Sequence, residues 1–204
     1  MEIFKASELE KAAELLRQGK VIAFPTETVY GLGVIYDDKE AYDKLVAVKR
    51  RPPEKPFTLM LADPEDVEKY AKLNSVSKAL LKAFMPGQFT LITYAKEGLP
   101  SWCVSKIGHV GVRVADYDLV RELIRKTGKP LLVPSANRSG EEPAHNSDEV
   151  IKIFGEEIEA VVEGKSISNV PSTIVLVEEK YTHVFREGAI KLDEIKKVIS
   201  EEKK

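Results

Sequence analysis

The sequence predicts an α/β protein, an open twisted sheet flanked by helices, and three observations carry that prediction. Short apolar runs at 21–24, 57–61 and 131–133 alternate with longer segments whose apolar residues recur at helical spacing. No repeat or low-complexity linker interrupts the alternation, so 204 residues with 43% hydrophobic content suit a single domain, 1–204, with a substantial core. Two of the strands also run into polar loops, 25–33 and 134–140, which bring hydroxyls and glycines to a sheet edge.

Taken in order, Ser7 is placed to cap a first helix to about residue 18, with Leu9, Ala12, Ala13 and Leu16 on one face and Gly19 suited to the stop. The strand 21–24 breaks at Pro25 into Thr26-Glu27-Thr28-Val29-Tyr30-Gly31-Leu32-Gly33. If that segment is extended, Thr26 and Thr28 share a face, and the two glycines let backbone pack closely. A second helix over about 40–48 aligns Ala41, Leu45 and Val48, meets Lys49-Arg50-Arg51 and is stopped by Pro52-Pro53. The run 57–61 reads as a strand, Asp63-Pro64 opens a helix, another helix covers about 77–84, and Pro86-Gly87 turns into a strand at 89–93.

Over 109–114 the valines alternate, so His109, Gly111 and Arg113 share the opposite face and Arg113 leaves the core side. Asp116 is placed to cap a helix through Lys126 that Gly128 ends. A strand at 131–133, a helix at 147–154, strands at 159–162, 173–177 and 183–186, and an amphipathic C-terminal helix at about 191–203 complete the chain.

Composition excludes several classes. The apolar runs fall far short of the roughly 20 residues that cross a bilayer, and Met1-Glu2-Ile3 opens no signal sequence, so a cytoplasmic protein with no membrane partner is expected. The single cysteine, Cys103, forms no internal disulfide. A formal net charge of -2 provides no global field for a long nucleic acid, leaving local patches and small anions. His109, His145 and His183 lack metal-ligand spacing, so no resident metal site is predicted.

There is no Walker A sequence, GxGxxG turn, Ser-His-Asp set or HExxH, and Glu27 is the only acid inside a candidate site segment. Anion binding therefore falls to side chains: Lys49, Arg51, Lys55, Arg113, Arg138 and Arg186 are the candidates. Each also has a plainer reading. A lysine or arginine is solvated surface charge by default, cations suit a helix C-terminus, and Ser135 and Asn137 are good turn formers. Hydroxyls, amides and cations together suit positioning and electrostatic stabilisation of anionic groups.

Seven segments in order resemble the YrdC/TsaC family of threonylcarbamoyl-AMP synthases: PTETVYGLG from Pro25, KxR at Lys49 and Arg51, PGxxT from Pro86, GVRV from Gly111, SxN with a following SG from Ser135, PSTIV from Pro171 and REG from Arg186. The resemblance implies a YrdC-like open twisted mixed sheet with a concave anion-binding crevice. It also implies a nucleotidyltransferase that converts L-threonine, bicarbonate and ATP to L-threonylcarbamoyladenylate and pyrophosphate, for threonylcarbamoyladenosine formation on tRNA.

By that resemblance Lys49, Arg51, Ser135 and Asn137 form the catalytic centre. Threonine is held by Thr28, Met60, Arg113, Ser135 and Ser172, and ATP by Lys49, Arg51, Lys55, His109, Asn137, His145 and Arg186. Mg²⁺ enters with ATP, and tRNA or tRNA-modification proteins are the partners that use the product. The sequence departs from the family pattern at Met60, where two-domain relatives often carry histidine, at Gln88-Phe89 and at His145. A chain ending at Lys204 resembles the short form, without the C-terminal domain of longer relatives. Two alternatives stand beside synthesis: a YciO-type paralogue acting hydrolytically on threonylcarbamoylated tRNA, and an RNA- or nucleotide-binding module.

Overall fold

The computed structural model describes residues 1–51, 56–168 and 170–202. In chain order the strands are β1 (Glu2–Phe4), β2 (Ile22–Phe24), β3 (Gly31–Ile35), β4 (Leu59–Leu61), β5 (Phe89–Tyr94), β6 (His109–Val114), β7 (Leu131–Leu132), β8 (Ala160–Val162), β9 (Thr173–Val177) and β10 (Thr182–Arg186). The α-helices are α1 (Leu9–Arg17), α2 (Lys39–Lys49), α3 (Ser75–Phe84), α4 (Asp118–Thr127), α5 (Ser147–Phe154) and α6 (Leu192–Glu202). None among the described residues is long and apolar enough to cross a membrane.

The strands form one open sheet in the order β1-β8-β2-β3-β7-β4-β6-β5-β9-β10. It is mixed: β1/β8, β2/β8, β4/β6 and β5/β9 are parallel, and β2/β3, β3/β7, β4/β7, β5/β6 and β9/β10 antiparallel.

The strict two-residue period of these strands sorts their side chains into two layers. Leu32, Val34, Leu59, Leu61, Leu91, Val110, Val112 and Val114 enter one core, where Leu45 of α2, Leu80 of α3, Val150 of α5 and Ile195 of α6 cover them. On the opposite face Ile22, Phe24, Met60, Leu131 and Val162 pack with Leu9, Ala12 and Leu16 of α1 and Val120 and Leu123 of α4. That second layer covers the half of the sheet from β1 to β4, and the same face continues over β6, β5 and β9 as Arg113, Thr90 and Ile174, which line a cavity instead. The crevice is thus the part of one sheet face that α1 and α4 leave uncovered.

Several local expectations change. Ser7 lies in a 3-10 turn, Ala6–Glu8, and α1 starts at Leu9; the Glu8 carboxylate, not Ser7, accepts the Lys5 amide at 3.1 Å. Asp63 makes no cap bond, because its carboxylate accepts from Arg121 (2.8 Å) and Arg125 (2.6 Å), and the residues after it form a 3-10 segment, Pro64–Lys69. Helix α3 begins earlier than its apolar spacing shows, since Asn74 and Ser77 form a reciprocal capping box. Tyr117, not Asp116, occupies the N-cap of α4, whereas Gly128 closes it in the left-handed conformation at φ +79°. Strand β4 starts at Leu59 instead of residue 57, and β1 and β3 are strands where none was predicted.

Candidate active site

A cavity of about 490 Å³ opens on the uncovered sheet face, and its walls come from segments distant in sequence. The floor is built by the segment between β2 and β3. The segment is not extended but bent over 27–29, and it is the bend that brings the Thr26 and Thr28 hydroxyls to 3.0 Å, with Thr26 Oγ1 donating to the Val29 carbonyl at 2.7 Å. Arg113, projecting from β6, donates through Nη2 to Glu27 Oε1 (2.6 Å) and to Thr28 Oγ1 (3.1 Å). Glu27, Thr28 and Arg113 are all buried.

The glycines of β3 are needed for this packing. A Cβ on Gly31 would come within 2.6 Å of the Val133 side chain, and one on Gly33 would strike the Phe24 ring. An isolated bridge pairs Gly31 with Ser135, drawing the polar loop after β7 against the first.

Helix α2 delivers the next wall. Asp38 caps it by accepting the Ala41 amide at 3.0 Å, and Arg50 ends it in a left-handed turn at φ +50°. That reversal sends neighbouring cations different ways. Lys49 turns inward, only 2% exposed, and donates to the carbonyl oxygens of Ser135 (2.6 Å) and Asn137 (2.6 Å) and to Asn137 Oδ1 (2.8 Å). Burial, with Arg51 and Arg138 nearby, pushes its ammonium down to about 8, while the three acceptors saturate its donors. Ser135 Oγ donates to the same Asn137 Oδ1 at 2.6 Å, and Asn137 Nδ2 donates to the carbonyls of Arg138 (2.9 Å) and Glu141 (2.7 Å). Arg51 instead lines the cavity, its guanidinium 5.0 Å from the Phe57 ring centroid, and burial draws its pKa below the ordinary arginine value.

The opposite wall belongs to β9 and β10. Ser172 Oγ lies 3.0 Å from Thr90 Oγ1, and Arg186 donates through Nε to the Ser172 carbonyl (3.0 Å) and through Nη2 to its hydroxyl (3.2 Å). Burial and the neighbouring Arg113 draw Arg186 below its usual value. Met60, His145, Glu142, Val133 and Ile174 are also part of the lining.

The structure therefore brings together Thr28, Arg51, Met60, Arg113, Ser135, Asn137, His145, Ser172 and Arg186 of the predicted set. Lys49 stands behind Ser135 and Asn137 and does not line the cavity itself. Lys55 lies outside the described residues.

Two predicted cations or rings go elsewhere. His109 shares a sheet face with Arg113 but is four residues away along β6, about 13 Å at 3.3 Å per residue, and packs on Tyr94 with Glu178 Oε1 3.0 Å from its Nε2. Arg138 is buried under the loop, donating to the carbonyls of Val48 and Ile153 and to the Glu157 carboxylate, its guanidinium over Phe154. It holds the wall up and is not aimed at the crevice. Thr90 and Glu142 also line the cavity, though neither is in the predicted set; Thr90 closes the PGxxT segment, whereas nothing in sequence marks Glu142.

Hydroxyls at both ends, guanidiniums from three separate elements and an apolar patch of Met60, Val133 and Ile174 suit a small ligand with anionic groups and an aliphatic part. Among the described residues there is no cluster of three or more His, Cys, Asp or Glu that could hold a metal.

The Sua5/YciO/YrdC family model, described as telomere recombination, matches residues 14–188. A threonylcarbamoyl-AMP synthase of Pyrococcus abyssi is 34% identical over 192 residues, which is 93% of this chain and 56% of that protein, so the chain spans little more than half of that relative. One from Vibrio parahaemolyticus is 34% identical over 183 residues, 88% of this chain and 98% of its own length. In the crystal structure of P. abyssi Sua5 complexed with L-threonine the match has a TM-score of 0.93 at 32% identity, covering 98% of this chain and 62% of that one. Escherichia coli YciO, at 24% identity, shares the fold with a TM-score of 0.88 over 96% of this chain and all of its own.

Proposed function

This chain belongs to the Sua5/YciO/YrdC family, and from that premise we propose that it is a threonylcarbamoyl-AMP synthase, making L-threonylcarbamoyladenylate and pyrophosphate from L-threonine, bicarbonate and ATP. The observation that carries the proposal is the convergence of Arg51, Arg113 and Arg186 with Thr28, Ser135 and Ser172 on one cavity. Like-charged guanidiniums drawn together away from water, with Arg113 lowering the pKa of Arg186, are relieved when anions enter between them.

In this reading the threonine carboxylate sits against Arg113 and Thr28, and its methyl group faces the apolar patch of Met60 and Ile174. The amine adds to carbon dioxide drawn from bicarbonate and loses a proton, giving a carbamate. A carbamate oxygen attacks the α-phosphorus of ATP in line, and the bond to the bridging oxygen of pyrophosphate breaks. Arg51 and Arg186 offset charge on the phosphates as pyrophosphate leaves, and Ser135 and Asn137, braced from behind by Lys49, line the point where the carbamate and α-phosphate meet. Mg²⁺ arrives as the ATP complex and shares in neutralising the triphosphate. The product passes to the proteins that transfer the threonylcarbamoyl group to tRNA adenosine.

Purified protein with ATP, Mg²⁺, bicarbonate and L-threonine is expected to release pyrophosphate only when threonine is present; no threonine-dependent release would refute synthesis. The other reading is a YciO-type paralogue acting hydrolytically on threonylcarbamoylated tRNA, and what favours it is Met60, a thioether on the cavity lining that departs from the family pattern. Mass spectrometry of threonylcarbamoylated tRNA after incubation separates that hydrolytic activity from synthesis by loss of the modification.

A further inference from the structure

Among the described residues Glu27 is the one carboxylate buried at the crevice floor, and the reaction above leaves it without a task. It is 4% exposed, does not line the cavity, and meets Arg113 through a single contact, Nη2 to Oε1 at 2.6 Å. An arginine and a carboxylate ordinarily close side-on through two parallel bonds. Here the second half of that fork is open: Glu27 Oε2 and Arg113 Nε are both buried with no hydrogen-bond partner. The Nη2 group is shared instead with Thr28 Oγ1 at 3.1 Å. Glu27 is itself fixed at its backbone, where its carbonyl accepts the Ser168 amide at 3.0 Å.

We propose that Glu27 is the positioning residue for Arg113: through its hydrogen bond it turns the guanidinium edge toward Thr28, so that Arg113 presents a pre-aimed donor to the carboxylate of an incoming amino acid. The proposal rests on the synthase reading, because it assigns Arg113 to the amino acid and not to ATP. A base role for Glu27 is excluded by its place behind Arg113, out of the cavity that the amine enters. Its influence is therefore directional and confined to one substrate.

The experiment compares Glu27→Ala, Glu27→Asp and Glu27→Gln in steady-state pyrophosphate release, with calorimetric titration of L-threonine onto each protein and a urea melt for folding. Glu27→Ala is expected to raise KM for threonine roughly tenfold or more while KM for ATP stays within about twofold. Glu27→Asp, one methylene short and so retracted about 1.5 Å, raises threonine KM as well, and Glu27→Gln, which keeps an oxygen acceptor at full length, recovers most of the loss. Threonine KM unchanged in folded Glu27→Ala or Glu27→Asp, or threonine and ATP KM rising in parallel, overturns the proposal. If Glu27→Ala does not fold, the Asp and Gln variants decide, with equal KM values in the two counting against it. Wild-type protein that neither binds L-threonine nor releases pyrophosphate with it overturns the synthase reading itself, and this inference with it; an active wild type with indifferent variants overturns this inference alone.

Discussion

Replacing Lys49 by methionine keeps the length of the side chain and deletes the ammonium that three oxygens share. Asn137 Oδ1 retains the Ser135 hydroxyl and the Ser135 carbonyl retains the Asn137 amide at 3.0 Å, so of the three acceptors the Asn137 carbonyl is the one left without its donor. At roughly 1–3 kcal/mol for a stranded acceptor the cost is about 1–3 kcal/mol. Against it stands relief of the buried charge: a pKa drawn from 10.5 to about 8 corresponds to about 3 kcal/mol at 1.36 kcal/mol per unit. Lys49→Met should thus leave stability near neutral pH unchanged or raised by up to about 2 kcal/mol, whereas turnover falls roughly 100-fold because Ser135 and Asn137 are no longer braced.

The sign of the pH dependence is distinctive. The folded pKa lies below the unfolded one, so between about pH 8 and pH 10.5 the unfolded chain keeps a proton that the native chain has released, and stability from this group rises with pH. Urea unfolding of wild type and Lys49→Met from about pH 7 to about pH 10 should show the stability of wild type relative to the variant rising through that window. A difference that stays flat or falls with pH, or Lys49→Met with wild-type turnover, refutes the reasoning.

Arg138→Met strands the Val48 and Ile153 carbonyls and frees Glu157, so the urea midpoint should fall by an amount equivalent to roughly 2–4 kcal/mol. Gly31→Ala drives a methyl group to 2.6 Å from Val133 and should cost about 1–3 kcal/mol together with much of the turnover, read by melting and pyrophosphate release. Cys103, wholly buried and with its thiol pushed up to about 12 by desolvation, should resist a maleimide in the native protein and react on unfolding.

The sequence is most legible where periodicity and burial agree. The alternating valines of β6 place Arg113 on the face that becomes the crevice, and Ala41, Leu45 and Val48 of α2 are all buried. It is least legible where a side chain has a competing partner. Asp63 looks like a cap until two arginines from α4, 58 and 62 residues away, claim its carboxylate. The lysine and the two arginines at 49, 51 and 138 have the same charge in sequence; only a left-handed Arg50 and a set of long-range carbonyls make the first a brace, the second a cavity wall and the third a prop. Strand β3 escapes notice because its glycines read as loop, although they are what allows the strand to lie against Phe24 and Val133. His109 follows from the same alternation as Arg113, and alternation gives the face but not the position along it.

The end of α2 and the loop after β7 are joined in both directions: Lys49 reaches into the loop with its side chain, and its carbonyl accepts from the Ser139 amide (3.0 Å) and hydroxyl (3.1 Å) in return. Backbone and side chain of one residue thus rivet two segments nearly 90 positions apart into a single jaw. The other jaw is held more lightly, with Arg186 latched to Ser172 by two bonds that an entering anion can replace. Substitutions that slow product release without altering chemistry should accordingly gather around β9 and β10, not around Lys49.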